Sequence, residues 1–187
     1  VKAMTVYAFS TENFKRDQKE VDYIFRLPKE FFSLYLKELI ENNVRIQLIG
    51  HLEMAPKETQ DIINAAIEKT KDNTGLSLVF AFIYGGRDEI VQATKAIAQE
   101  YKDGLISMDD IDENLFENHL MTAGLPPVDL MIRTSGECRL SNYLLWQLSY
   151  AEFIFVDTLW PDFNEEELHK CIYYYQNRER RFGGVLK

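Results

Sequence analysis

Residues 76–84 read LSLVFAFIY and run into Gly85-Gly86 and then RDEIVQATKAIAQEY over residues 87–101. The first stretch is the longest strongly apolar run in the chain, yet it falls far short of the ~18–20 residues a membrane span needs. It reads as a buried strand, and the second stretch reads as a helix. Outward from this pair the same alternation repeats. Upstream, AMTVYAF (residues 3–9) is β-branched and aromatic and predicts a strand. Residues 10–20, STENFKRDQKE, are polar and predict a mobile loop. A long helix is predicted over residues 21–42, and a strand over residues 44–49 is closed by Gly50. Pro56 suits a first helical turn, so a helix follows over residues 57–71, and Asn73-Thr74-Gly75 marks a turn. Downstream, one or two short helices fall within residues 108–121, and a strand over residues 128–132 enters Arg133-Thr134-Ser135-Gly136. A short helix is predicted over residues 142–147 and a strand over residues 152–156. Asn164 caps a last helix running to about residue 178, before a Gly-Gly tail.

Strands separated by helical segments imply βαβ units, hence an α/β fold with a mainly parallel central sheet flanked by helices. With 187 residues and no linker or repeat, the expectation is a single domain over residues 1–187. The chain opens at Val1 directly on a strand, so it is expected to be N-terminally incomplete. The 21 Lys and Arg against 30 Asp and Glu leave a charge of −9, which argues against nucleic-acid binding because that needs a basic face. Cys138 and Cys171 have neither metal-ligand spacing nor a disulfide framework, so a reducing cytoplasm is the expected compartment.

In a parallel sheet, ligands bind beyond the carboxyl ends of the strands. Three polar segments fall there: residues 10–16, 85–87 and 133–141. Arg133 and Arg139 flank a Thr-Ser-Gly turn with Ser141 beyond it. Two guanidinium groups, a hydroxyl and turn amides suit a phosphate or diphosphate. The competing reading is a pair of surface arginines matched with Glu137. No Gly-Lys-Ser/Thr loop is present, which argues against a nucleoside triphosphatase. Glu152 enters an apolar strand and is expected either to pair with an arginine or to bind a metal such as Mg²⁺. His51, His119 and His169 share no motif and read as structural, and Cys138 reads as a bystander.

The long helix carries apolar residues on more than one side. Val21, Ile24, Phe25, Phe32, Tyr35, Leu36, Leu39 and Ile40 form the face expected against the sheet. Tyr23, Leu27, Phe31 and Leu34 lie off it, either against another helix or subunit, or lining an apolar cavity for a hydrocarbon. Pro28 falls inside this helix and is expected to bend it.

Four segments together resemble the cis-prenyltransferase family: YAFSTENFKR (residues 7–16), YGGRDEI (84–90), DLMIRTSGECRLSNYLLWQLSYAEFIFVDTLWPDF (129–163) and RERRFGG (178–184). The resemblance implies repeated condensation of isopentenyl diphosphate onto farnesyl diphosphate with cis geometry. The product would be a long polyprenyl (undecaprenyl) diphosphate for the lipid carrier of bacterial wall polymers. It also implies six parallel strands, an apolar tunnel, a homodimer, Mg²⁺ and transient contact with a membrane surface for product release. By position, Ser10 and Asn13 match polar residues beside the reacting centre, and Arg16 matches a basic residue facing the allylic diphosphate. Arg133, Arg139 and Ser141 match the isopentenyl-diphosphate clamp, and Glu152 matches the carboxylate near Mg²⁺. Arg181 and Gly183 match a C-terminal motif expected near the partner's active site. The family's MDGNGRWA-type segment, which supplies its catalytic Asp, does not occur in these residues. Ile83 and Val79 stand where Asn is usual, and Ile83 removes a hydrogen bond that Asn would offer the site. The alternatives are a non-catalytic subunit supporting a partner synthase, and a phosphate-binding α/β domain of other chemistry.

Overall fold

A computed structural model describes residues 1–178; Arg181 and Gly183 lie outside the described residues. Contacts cluster into two compact units, Val1–Pro126 and Pro127–Lys187. The first unit holds β1 (Ala3–Ser10), α1 (Gln18–Glu41), β2 (Arg45–Ile49), α2 (Lys57–Thr70), β3 (Ser77–Tyr84), α3 (Gly86–Lys102) and α4 (Glu113–Asn118). The second holds β4 (Leu130–Arg133), β5 (Glu152–Phe155) and α5 (Glu165–Gln176). Every pairing is parallel, as the alternation predicts. The described strands form a three-stranded sheet in the order β1-β3-β2 and a two-stranded sheet β4-β5, where the resemblance implies six strands.

The central strand β3 explains its own sequence. It is hydrogen-bonded on both edges and covered on both faces, so it reads as a continuous apolar run. Val79 and Ala81 are fully buried on one face. On the other, Phe82 meets Phe9 and Phe25 at ring-centroid distances of 5.9 and 5.8 Å, and Phe80 meets Phe31 and Phe32 at 5.7 and 5.9 Å. Each buried aromatic of this kind contributes about 1.5–3 kcal/mol through removal from water. Phe31 therefore packs on the sheet rather than away from it. Tyr35 and Ile40, assigned by periodicity to the sheet face, are exposed at 46% and 38%. The stripe over residues 21–40 is wider than the surface available to cover it.

Helix α1 begins earlier than predicted because Asp17 caps it, its carboxylate accepting from the Lys19 amide at 2.9 Å. The helix continues through Pro28. In the turn where proline removes a backbone donor, the Thr59 hydroxyl of α2 donates to the Phe25 carbonyl at 2.9 Å. A groove of about 710 Å³ between α1 and α2 has Phe32, Leu36, Ile62 and Ala66 among its lining residues. Thr70, fully buried at the end of α2, donates to the Ala66 carbonyl and accepts from the Ile46 amide at 3.0 Å, which satisfies the open edge of β2.

The predicted mobile loop over residues 10–20 is instead structured: a 3-10 turn over Thr11–Lys15 leads directly to the α1 cap. The predicted helix over residues 142–147 is absent. Ser141, Asn142 and Leu144 have φ of 50°, 64° and 42°, and residues in the left-handed region cannot continue a right-handed helix. Gly50 has φ +112°, and an added Cβ would stand 2.1 Å from the Phe82 carbonyl oxygen. Only glycine lets the end of β2 pass this close to β3. Among the described residues no helix is long and apolar enough to cross a membrane.

Candidate functional site

The carboxyl end of the three-stranded sheet gathers two of the three polar segments. Ser10 ends β1, and Tyr84, its partner in the ladder, ends β3 just before Gly85, the N-cap of α3, whose first turn holds Gly86 and Arg87. Ser10 and Asn13 are brought together, the Asn13 carboxamide oxygen accepting the Ser10 amide at 2.9 Å as part of a capping box. Arg16 turns outward and pairs with Glu20 at 2.5 Å, with both side chains about half exposed.

At the end of β2, His51 bridges two carboxylates: Nε2 lies 2.5 Å from Asp88 in the first turn of α3, and Nδ1 lies 2.8 Å from Glu53. The Asp88 contact, helped by Glu53 and opposed by partial burial, raises the His51 pKa above its ordinary value. Burial, reinforced by the Glu12 carboxylate and opposed by a hydrogen bond from Ser10, pushes the Tyr7 phenol up to about 12.

Ile83 is buried at 0% exposure and has φ +54°. Its side chain sits among Phe9, Phe25 and Phe82 in the core. Asn adopts the left-handed region more readily than a β-branched residue, so Ile83 holds a φ that its side-chain type disfavours.

In the second unit the two-stranded ladder carries the third segment. Arg133, at the carboxyl end of β4, donates through Nη1 to the Ser141 hydroxyl at 2.9 Å and also to the Arg139 carbonyl. It thereby ties the two ends of the intervening loop together. The Arg139 guanidinium, however, is paired with Glu137, so the ion pair of the competing reading is present. The Thr-Ser-Gly amides differ from expectation as well. Ser135 N donates to the Thr158 carbonyl and Gly136 N to the Val156 carbonyl, both at 2.9 Å. Those two donors hold the loop against the segment after β5 and are committed there. Ser135 and Gly136 have φ of 69° and 66°, a conformation the sequence flags only through the glycine. Cys138 is exposed in this loop, its Sγ 4.0 Å from the Gly136 carbonyl.

Glu152 opposes Leu130, at the amino end of the ladder, whereas Arg133 opposes Phe155 at the other end. Strand alternation also points the Glu152 and Arg133 side chains to opposite faces. Glu152 Oε2 lies 3.9 Å from Arg178. Among the described residues no three His, Cys, Asp or Glu side chains converge as a metal site. The carboxylates described here therefore do not by themselves fit Mg²⁺, which takes an octahedron of oxygens.

Sequence reasoning missed Tyr7 and Glu89. Tyr7 donates to the Tyr84 carbonyl at 3.0 Å, and Glu89, 1% exposed, accepts from the Tyr84 hydroxyl at 2.5 Å and the Met121 amide at 2.9 Å. A carboxylate in the amphipathic α3 reads as solvated unless the tertiary contact is known.

Comparison with known proteins places this architecture. A family model described as "Putative undecaprenyl diphosphate synthase" matches residues 1–183. The ditrans,polycis-undecaprenyl-diphosphate synthase ((2E,6E)-farnesyl-diphosphate specific) of Micrococcus luteus is 55% identical over 99% of this chain and 74% of its own length. The crystal structure of lavandulyl diphosphate synthase from Lavandula x intermedia in complex with dimethylallyl diphosphate superposes with a TM-score of 0.95 at 40% identity, over 98% of this chain and 79% of that one. That of "a probable undecaprenyl diphosphate synthase" from Campylobacter jejuni gives 0.84 at 36%, over 98% and 84%. With the match running from the first strand to beyond the last described helix, the chain belongs to the undecaprenyl diphosphate synthase family of prenyltransferases.

Proposed function

We propose that the protein elongates farnesyl diphosphate by repeated cis condensation of isopentenyl diphosphate, giving a long polyprenyl diphosphate. The observation that carries this reading is the tie of Arg133 to Ser141 across one short loop, with Arg139 on the same loop, in a chain related over its whole length to a farnesyl-diphosphate-specific synthase. In this reading the Arg133 guanidinium and the Ser141 hydroxyl bind the isopentenyl diphosphate head. Arg139 exchanges its Glu137 partner for a phosphate oxygen. Ser10 and Asn13 flank the reacting centre, and Arg16 leaves Glu20 to meet the allylic diphosphate.

An allylic diphosphate ionises more readily when cationic and hydrogen-bonding groups await the departing charge. The alkene of the second substrate must lie within near-attack distance of the allylic carbon. Mg²⁺ belongs to the proposal with Glu152 as its carboxylate, although one carboxylate is too few to hold the ion by itself. The hydrocarbon product needs a dry channel, for which the apolar breadth of α1 is the proposed wall. A cytoplasmic homodimer completes the reading. It is supported by the exposed aromatics of the second unit, among them Phe153 and Phe155, whose rings stack at 6.3 Å on β5 and which a second copy would cover. Contact with a membrane surface at product release is part of the same reading.

The test is incorporation of labelled isopentenyl diphosphate onto farnesyl diphosphate by the complete protein with Mg²⁺. Long polyprenyl diphosphates are expected. Absence of incorporation would overturn the proposal in favour of a supporting subunit.

A further inference from the structure

The turn that joins β3 to α3 has little local chemistry to hold it. Gly85 and Gly86 are consecutive, and glycine has the least restricted backbone of any residue. Gly85 is the N-cap of α3 and brings no side chain to cap it. Yet both glycines are buried, and the turn delivers the exposed Arg87 at the carboxyl end of the sheet.

The bracing comes from His51, at the end of a different strand. Gly50 lets the end of β2 pass close to β3, so His51 follows directly against the end of that strand. There the β1 ladder is irregular. It pairs Phe9 with Phe82 and Ser10 with Tyr84, which leaves Ala8 and Ile83 as bulged residues, Ile83 with φ 54°. The Ile83 carbonyl accepts the His51 amide at 3.2 Å. The His51 ring meets Asp88 through Nε2 at 2.5 Å. One residue thus holds position 83 with its main chain and position 88 with its side chain, and it spans everything between them. The ring is itself fixed from its far side. Glu53 lies 2.8 Å from Nδ1, and the Met54 amide donates to the His51 carbonyl at 3.0 Å. Asp88 also accepts from Gln92 at 3.1 Å, one turn along α3, which holds the carboxylate on the helix.

We propose that His51 is a positioning residue for the allylic substrate: by tying the Ile83 carbonyl to Asp88 it fixes the Gly85-Gly86-Arg87 turn at the carboxyl end of the sheet. The proposal rests on the reading that Ser10, Asn13 and Arg16 meet that substrate at this end. Arg133, Arg139 and Ser141 belong to the second unit, so His51 affects farnesyl diphosphate and not isopentenyl diphosphate.

The test is steady-state kinetics of the complete enzyme, with KM measured for each substrate while the other saturates. Loss of one hydrogen bond in His51→Ala predicts a rise in KM for farnesyl diphosphate of about three- to tenfold, with KM for isopentenyl diphosphate within about twofold. A merely structural role would lower kcat through the folded fraction and leave both constants alone. That result would overturn the proposal, as would an equal rise in both constants. If His51 acts through Asp88, the H51A/D88A double variant has the KM of D88A; multiplied effects would refute the link. Arg16→Ala separates the proposal from the reading beneath it. An unchanged KM for farnesyl diphosphate in R16A overturns the placing of the allylic site. A raised value in R16A beside a parental one in H51A overturns only the role of His51. Should H51A fail to fold, His51→Gln and His51→Asn decide. Gln carries an amide nitrogen to the place of Nε2 and keeps Asp88, whereas Asn reaches only the place of Nδ1 and keeps Glu53. KM for farnesyl diphosphate is expected to be lower in H51Q than in H51N, and equal or reversed values refute the proposal.

Discussion

Replacing Arg133 with Ala removes one charge and, with it, two hydrogen bonds. In the free protein Nη1 is shared between the Ser141 hydroxyl at 2.9 Å and the Arg139 carbonyl, so the side chain also holds the loop in shape. A charge-assisted hydrogen bond to a diphosphate oxygen contributes about 1.5–3 kcal/mol, which is roughly 10- to 150-fold in Kd for isopentenyl diphosphate. Ser141→Ala removes one neutral bond, about 0.5–1.5 kcal/mol, or roughly two- to twelvefold. Arg139→Ala falls between them, because its guanidinium must first leave Glu137, although an exposed pair of this kind costs only about 0.2–1 kcal/mol to break. Arg133→Lys keeps the charge but not the planar fork that serves two acceptors, so it recovers part of the affinity. Titration calorimetry of the complete enzyme with isopentenyl diphosphate, at fixed ionic strength, measures the series. An R133A Kd within twofold of the parent, or an S141A loss larger than that of R133A, would refute the assignment of the loop as a diphosphate clamp.

Two further outcomes follow from the first unit. At Ile83 the usual order of substitutions should invert. Ile83→Ala loses buried volume, about 2–5 kcal/mol, and keeps a side chain at φ +54°, whereas Ile83→Gly gives back about 1–2 kcal/mol of left-handed strain. I83G should unfold at a temperature equal to or above that of I83A, and a clearly lower midpoint would show that Ile83 carries no strain. His51 has its folded pKa raised, chiefly by Asp88, so its contribution is full below the unfolded value near 6.5 and fades as pH climbs through the folded value. Denaturant unfolding should show parental stability falling across that window, with His51→Gln flattening the decline; an unchanged pH slope in H51Q would remove His51 as its source.

Much of the first unit is legible from local chemistry. The run 76–84 reads as a buried strand because a strand covered on both faces needs no polar alternation. The Asn164 cap is equally local, its side chain accepting the Glu167 amide at 3.1 Å. The breaks in legibility have one cause. Residues 10–20 read as loop because polarity says nothing of a cap three residues away, and 142–147 read as helix because propensity is blind to φ. The same holds at the clamp. The residue types of Arg133, Arg139 and Ser141 announce an anion site, but not that Ser135 and Gly136 spend their amides on the strand-end segment or that Glu137 occupies Arg139.

What the order of residues determined unaided was the alternation of strands and helices, the parallel pairing it entails and the family, since these depend on neighbours in the chain. What tertiary structure decided was which side chains share a face. The bulges at Ala8 and Ile83 shift two strands by one residue each, and a shift of one residue reverses every side chain beyond it. No local pattern encodes that reversal, because it is stabilised by packing between β1, β3 and α1, which only the folded chain brings into contact.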